Sequence, residues 1–121
     1  GIDLKTAFEG IKISSGNSFV HETESQVILN GSYDVGFTMD LVCKDVGLFD
    51  KLIKKYEIPA EISSLMLEIF QRGRKKLGDR ALSTSIVKLL EEKCNDNLRA
   101  SGFPSVLEDK NQKQKAEEII I

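Results

Sequence analysis

The sequence contains no tryptophan, two prolines, two cysteines and a single histidine among 121 residues. Each scarcity removes a class of protein. His21 has no second histidine to pair with, and Cys43 and Cys94 lack metal-type spacing, so no metal-ligand set is expected. Both cysteines fall in apolar helical patterns and read as reduced packing residues. No glycine-rich phosphate loop is present, and no Ser, His and Asp constellation has catalytic spacing. His21 reads as an ordinary half-exposed helical residue. With 17 basic and 19 acidic residues and a formal charge of -2, no large cationic field is available for a nucleic acid. No apolar run is long enough to cross a bilayer, and the amino terminus lacks a signal-peptide pattern, so a cytoplasmic protein without a membrane partner is expected. Period-two alternation and hairpin dipeptides are also missing, which makes the expected fold class all-α.

What is present is helical periodicity. Asp3 can cap a first helix facing inward through Leu4, Ala7, Phe8 and Ile11, and Ser14-Ser15-Gly16 breaks it. Asn17 or Ser18 caps a second helix with Phe19, Val20, Val27 and Ile28 inward, and Gly31 supplies its left-handed end. A fourth helix follows Pro59, with Ile62, Leu65, Met66, Ile69, Phe70, Gly73 and Leu77 in one stripe. Gly73 predicts close approach of a neighbouring element. Arg72, Arg74, Lys75 and Lys76 read as a solvated basic end favoured by the helix dipole. Ser83 caps a fifth helix presenting Ile86, Val87, Leu90 and Cys94. Leu98, Phe103 and Val106 are expected to lie on the helical body. The opening at Gly1 without Met, directly before helical pattern, reads as a segment of a longer protein. Residues 1–107 form the expected helical domain, and 108–121 a charged tail read as a frayed helix or disordered.

The third and central helix runs from about Phe37 to Tyr56. Val42, Val46, Phe49, Ile53 and Tyr56 recur at three- and four-residue steps, and Leu41, Leu48 and Leu52 widen the stripe. Asp45 falls inside it and is expected to face inward among partners. Lys44, about 100° around the helix from Asp45, borders the stripe and suits an anionic ligand at a cleft edge. The alternative is an Asp40 to Lys44 surface pair at i,i+4, worth a few tenths of a kcal/mol.

Phe37, Leu41, Lys44, Asp45 and Leu48 together resemble the F-x-x-x-L-x-x-K-D-x-x-L signature of the β-hydroxyacid dehydrogenases, a family that includes 3-hydroxyisobutyrate dehydrogenase and tartronate semialdehyde reductase. Gly1-Ile2-Asp3, the Ser14-Ser15-Gly16 turn with Ser18, and Leu98-Arg99-Ala100 followed by Gly102-Phe103-Pro104 resemble other family landmarks in the same order. The resemblance reaches about Val106. It departs at Val46, where the family often has Leu, and near Phe49, where it often has Ala.

The resemblance implies a compact domain of about five to seven helices, of the 6-phosphogluconate dehydrogenase C-terminal-like type. It further implies that a Rossmann domain binding NAD or NADP and an acid/base lysine both precede Gly1, leaving no catalytic residue within this segment, which alone would be inactive. Lys44 matches the lysine that contacts the cofactor, Phe37 the aromatic lining the closed substrate pocket, and Asp45 a structural motif acid. The implied partners are a small hydroxy acid or semialdehyde and, in a homo-oligomer, further copies of the chain. A non-catalytic helical module for dimerisation or partner binding is the alternative. A G-x-G-x-x-G turn and a catalytic-helix lysine upstream would distinguish the enzyme from it.

Overall fold

A computed structural model describes residues 1–108. Five α-helices follow in order: α1 (Leu4–Lys12), α2 (Phe19–Asn30), α3 (Met39–Lys55), α4 (Glu61–Leu77) and α5 (Lys88–Cys94), with a 3₁₀ turn at Ser83–Val87 directly before α5. No strand occurs among the described residues, only an isolated bridge between Thr38 and Leu82. The expected tail lies, apart from residue 108, outside the described residues.

Local chemistry sets the helix ends. The Asp3 carboxylate accepts the Thr6 amide at 2.9 Å, and the Ser18 hydroxyl accepts the His21 amide at 2.9 Å, so both caps read from the sequence form. Gly31 ends α2 at φ 91°, where its amide and that of Tyr33 return to the Val27 carbonyl. α3 starts differently. Thr38 makes no side-chain cap to the helix, and the free amides of Met39 and Asp40 donate instead to the carbonyls of Ala81 (2.8 Å) and Asp79 (3.0 Å). Ser83 is likewise no capping residue: it lies buried within the 3₁₀ turn and its amide donates to the Phe37 carbonyl at 2.8 Å. The loop before the 3₁₀ turn therefore closes the amino end of α3.

α3 and α4 form the most extensive helix pair and run antiparallel, since Met39 meets Gly73, Gly47 meets Leu67, and Asp50 meets Ser63. The predicted close approach occurs at Gly73, where an added Cβ would collide with the end of Ile86 in the 3₁₀ turn. The buried core comprises Phe8, Val27, Leu29, Tyr33, Met39, Cys43 and Ile53. His21 bridges α1 and α2 by stacking on Phe8 and hydrogen-bonding through Nε2 with the Phe8 carbonyl at 2.9 Å.

The orientation of several apolar residues differs from expectation. Leu48, Phe49, Leu52 and Tyr56 of α3 are exposed, as are Ile62, Leu65 and Met66 of α4, Phe19 and Val20 of α2, Ile11 of α1 and Leu90 of α5. The row of α3 that enters the core is Met39, Cys43, Asp50 and Ile53. Cys94 is exposed, not packed, whereas Cys43 is buried. Phe103 docks edge-on against Phe8 at 5.1 Å, while Val106 stays exposed. Apolar residues outnumber the places this small body can cover, because a short helical domain has a high ratio of surface to volume.

Candidate functional site

Lys44 stands on the second turn of α3, held in register by the α3–α4 packing just described. It borders an open groove of about 300 Å³ between the two helices, lined also by Cys43, Gly47, Leu48, Asp50, Lys51, Leu67 and Gln71. Its side chain is 61% exposed and its ammonium reaches Asp45 Oδ1 at 3.2 Å. The alternative Asp40 to Lys44 pair does not form, because Asp40 bonds to the Thr38 hydroxyl and lies 3.5 Å from Arg80. An exposed pair such as Lys44 with Asp45 contributes little to stability. The lysine is thus available to an incoming anion.

Asp45 is corrected in orientation: its side chain is 55% exposed and turned out of the core. The acid inside the packing is Asp50, 3% exposed, at the position of α3 that faces the start of α4. It accepts hydrogen bonds from the Ser64 hydroxyl at 2.5 Å and from the Ser63 hydroxyl at 3.4 Å, and it pairs with Lys54 at 2.7 Å. The Lys54 contact and then the Ser64 hydroxyl hold its carboxyl below the usual range against the opposing effect of burial. At the start of α4, where Ala60 gives no side-chain cap, Asp50 approaches from across the interface and adds a second negative group to the Glu61 already in the first turn. Its signal in the sequence was a three- and four-residue row, 39, 43, 46, 50 and 53, that accepted one acid.

Phe37 is half-buried immediately before α3, fixed through its carbonyl by Ser83 and so placed near the helix start and not in the Lys44 groove. The structure therefore puts Lys44 and Asp45 side by side, and Phe37 about two turns away along the chain.

A second polar centre was not anticipated. Tyr33, buried at φ 58°, donates its hydroxyl to Glu91 Oε2 at 3.1 Å, and Glu91 Oε1 accepts from the Leu98 amide (2.9 Å) and Arg99 (2.8 Å). Arg99 also donates to the Tyr33 hydroxyl, and the Lys88 ammonium sits 4.5 Å from the Tyr33 ring centre. Burial raises the Glu91 carboxyl, but the Leu98 amide, the Tyr33 hydroxyl and Arg99 outweigh it and the net shift is downward. With Ala100 bonded to the Leu29 carbonyl and Asn30 to the Phe103 carbonyl, this cluster straps the segment after α5 onto the end of α2. The partners of Glu91 lie far apart in sequence on the Tyr33 side, so no local spacing could reveal them. Within the basic end of α4, Arg74 pairs with Asp79 in the following loop and Lys76 with Glu92 of α5.

Among the described residues no group of His, Cys, Asp and Glu could hold a metal ion, and no helix is long and apolar enough to cross a membrane. Residues 1–90 match the family model described as NAD-binding of NADP-dependent 3-hydroxyisobutyrate dehydrogenase. The chain is also similar to 2-(hydroxymethyl)glutarate dehydrogenase of Eubacterium barkeri, with 31% identity over 93 residues, 76% of this chain and 31% of that protein. The chain thus spans about a third of the length of the curated relative it matches.

Proposed function

The chain belongs to the 3-hydroxyisobutyrate dehydrogenase family of β-hydroxyacid dehydrogenases, and from that membership we propose that it is the helical substrate and dimerisation domain of an NAD(P)-dependent oxidoreductase acting on a CH-OH group. The parent enzyme oxidises a small 3-hydroxy acid or reduces the corresponding semialdehyde in the cytoplasm. A Rossmann domain outside this chain holds most of the cofactor, and the helical domain closes over it. The nicotinamide, when bound, takes or gives the hydride. Phe37 lines the substrate side of the closed cleft, Asp45 orients the lysine beside it, and the domain alone is inactive.

The observation that carries this reading is Lys44: an exposed ammonium at the rim of the α3–α4 groove, within the matched residues, tied only to a solvent-exposed acid. The groove fits a nicotinamide cofactor in its chemistry, because Lys44 and Lys51 both line it and present cationic donors to phosphate or ribose oxygens. Lys44 binds and orients the cofactor edge without moving a proton in the reaction.

The test is Lys44→Ala in the full-length enzyme. A charge-assisted hydrogen bond contributes about 1.5–3 kcal/mol, so the cofactor KM should rise roughly 10- to 100-fold, with Lys44→Arg recovering part of it and helical content unchanged. Unaltered cofactor KM and kcat/KM would sink the role given to Lys44.

A further inference from the structure

Gly47 and Gly73 both stand inside the α3–α4 pair, and they differ in what surrounds them. At Gly73 an added Cβ would collide with Ile86, so packing favours the glycine. At Gly47, in the middle of α3, an added Cβ would meet only Leu67 Cδ1 at 3.8 Å, an ordinary van der Waals contact. The backbone there is helical, without the positive φ that calls for glycine. Packing of the chain on itself therefore accepts alanine at 47, and helix propensity favours it.

What Gly47 does face is the groove that Lys44 borders. Lys44, Gly47, Leu48 and Lys51 stand at i, i+3, i+4 and i+7, which is one face of α3. The two lysines are about 10 Å apart along the helix axis. Gly47 lies between them, and Leu48, Leu67 and Gln71 complete the lining of that stretch. Lys44 leans on Asp45, whereas Lys51 has no ion-pair partner among the described residues.

We infer that Gly47 and Lys51 are cofactor-contact residues: the glycine leaves the backbone of α3 bare, so that the ribose-phosphate edge of the nicotinamide cofactor lies against it with an ammonium at either end. This rests on the cofactor role proposed for the groove and extends it from one lysine to a bed along two turns of helix. A ribose-phosphate suits the bed in its chemistry. Its phosphate oxygens take ammonium donors, its hydroxyls suit the Gln71 amide, and its close approach to the helix is the kind that glycine alone leaves clear. Any side chain at 47 would stand between the two lysines and hold the ligand off the helix. The bed needs no face open to solvent, because the proposed Rossmann domain supplies the opposite wall of the cleft.

The experiment is titration of the full-length enzyme with NADPH and with NADH, read by the cofactor's own fluorescence, beside urea unfolding followed by circular dichroism. Gly47→Ala should be at least as stable to urea as wild type and yet bind its preferred cofactor roughly tenfold more weakly. Lys51→Ala should keep its urea midpoint, weaken binding by roughly tenfold or more and flatten the dependence of affinity on salt. An unchanged dissociation constant in either variant overturns the inference. So does a Gly47→Ala protein less stable than wild type, because the glycine would then serve packing. Lys44→Ala separates the two levels: weaker binding in that variant alone leaves the proposed cofactor role standing without Gly47 and Lys51, and unchanged binding in all three removes the groove from cofactor binding altogether.

Discussion

Substitution of Gly73 by alanine isolates the packing of α4 against the 3₁₀ turn from ordinary helix propensity. Propensity alone favours Ala over Gly inside a helix by about 1 kcal/mol. At Gly73 the new methyl would collide with Ile86 Cδ1, with Met39 Cε and Sδ both 3.5 Å away. Ile86 is half-buried beside an open groove and can yield part of the way at its terminal methyl, while the fully buried Met39 fixes the other side of the new methyl. Overpacking of this kind costs about 1–3 kcal/mol, so Gly73→Ala should destabilise by roughly 1 kcal/mol net of propensity. For a domain of this size the melting temperature falls by about 4 °C. Ile86→Val removes the colliding methyl and alone costs about 1 kcal/mol. The double variant should return to within about 0.5 kcal/mol of wild type, because the alanine methyl fills the space that the valine leaves, giving a coupling of well over 0.5 kcal/mol. Urea titration followed by far-UV circular dichroism, at fixed protein concentration, measures all four corners of the cycle. A Gly73→Ala protein more stable than wild type by about 1 kcal/mol, the propensity value, would refute the close-packing argument. So would strict additivity in the cycle.

In the strap, Glu91→Ala leaves the Tyr33 hydroxyl, the Leu98 amide and Arg99 without their shared acceptor and should cost about 3 kcal/mol. Arg99→Ala should cost less, about 1–2 kcal/mol, because its side chain is 39% exposed and water replaces part of the contact; equal losses in thermal unfolding would contradict this ranking. Acid unfolding supplies another prediction. Asp50 and Asp79 have folded-state values below their unfolded ones, held down mainly by Lys54 and Arg74 respectively. The unfolded chain therefore binds more protons as pH falls below about 5, and the stability they contribute at neutral pH is lost progressively through their folded values. Asp50→Asn should lower stability at neutral pH and flatten the acid limb, as read from urea midpoints between about pH 3 and pH 6; an unchanged slope would mean that Asp50 does not titrate between the two states.

The parts of the fold that were legible in the sequence were those set by neighbours along the chain. Asp3, Ser18 and Gly31 act through bonds spanning three or four residues, and each acts as the sequence implied. The extent of α3, Met39–Lys55, lay within the stretch expected from Phe37 to Tyr56. Which side of α3 faces the core was not legible. Apolar residues occupy so much of its circumference that periodicity cannot distinguish the face packed on α4 from the strip that is left open. Asp50 was passed over for the same reason, as a charge is normally assigned to solvent until its partners, here Ser63 and Ser64 on another helix, are known. At the candidate site, periodicity left Lys44 undecided between a surface pair and a ligand contact, and the family motif singled it out. The Tyr33, Glu91 and Arg99 cluster was hidden because its contacts span 58 and 66 residues.

α3 separates a packing task from a binding one by direction around one helix. Its core row places Asp50 against the uncapped start of α4 and thereby fixes the spacing and register of the α3–α4 pair. Lys44, six residues earlier and so about 9 Å along the axis, stands on the flank where that pair opens into a groove. The groove exists only while the two helices keep their register, so the position of the Lys44 ammonium depends on a buried acid that never touches it. The third direction, from Phe49 to Tyr56, is an exposed apolar strip outside the Asp50 contacts, and Leu48 beside it lines the groove. The adjacent charges of the Lys44-Asp45 motif stay together at 3.2 Å on the outer side of the helix, the lysine beside the groove and the acid turned out of the core.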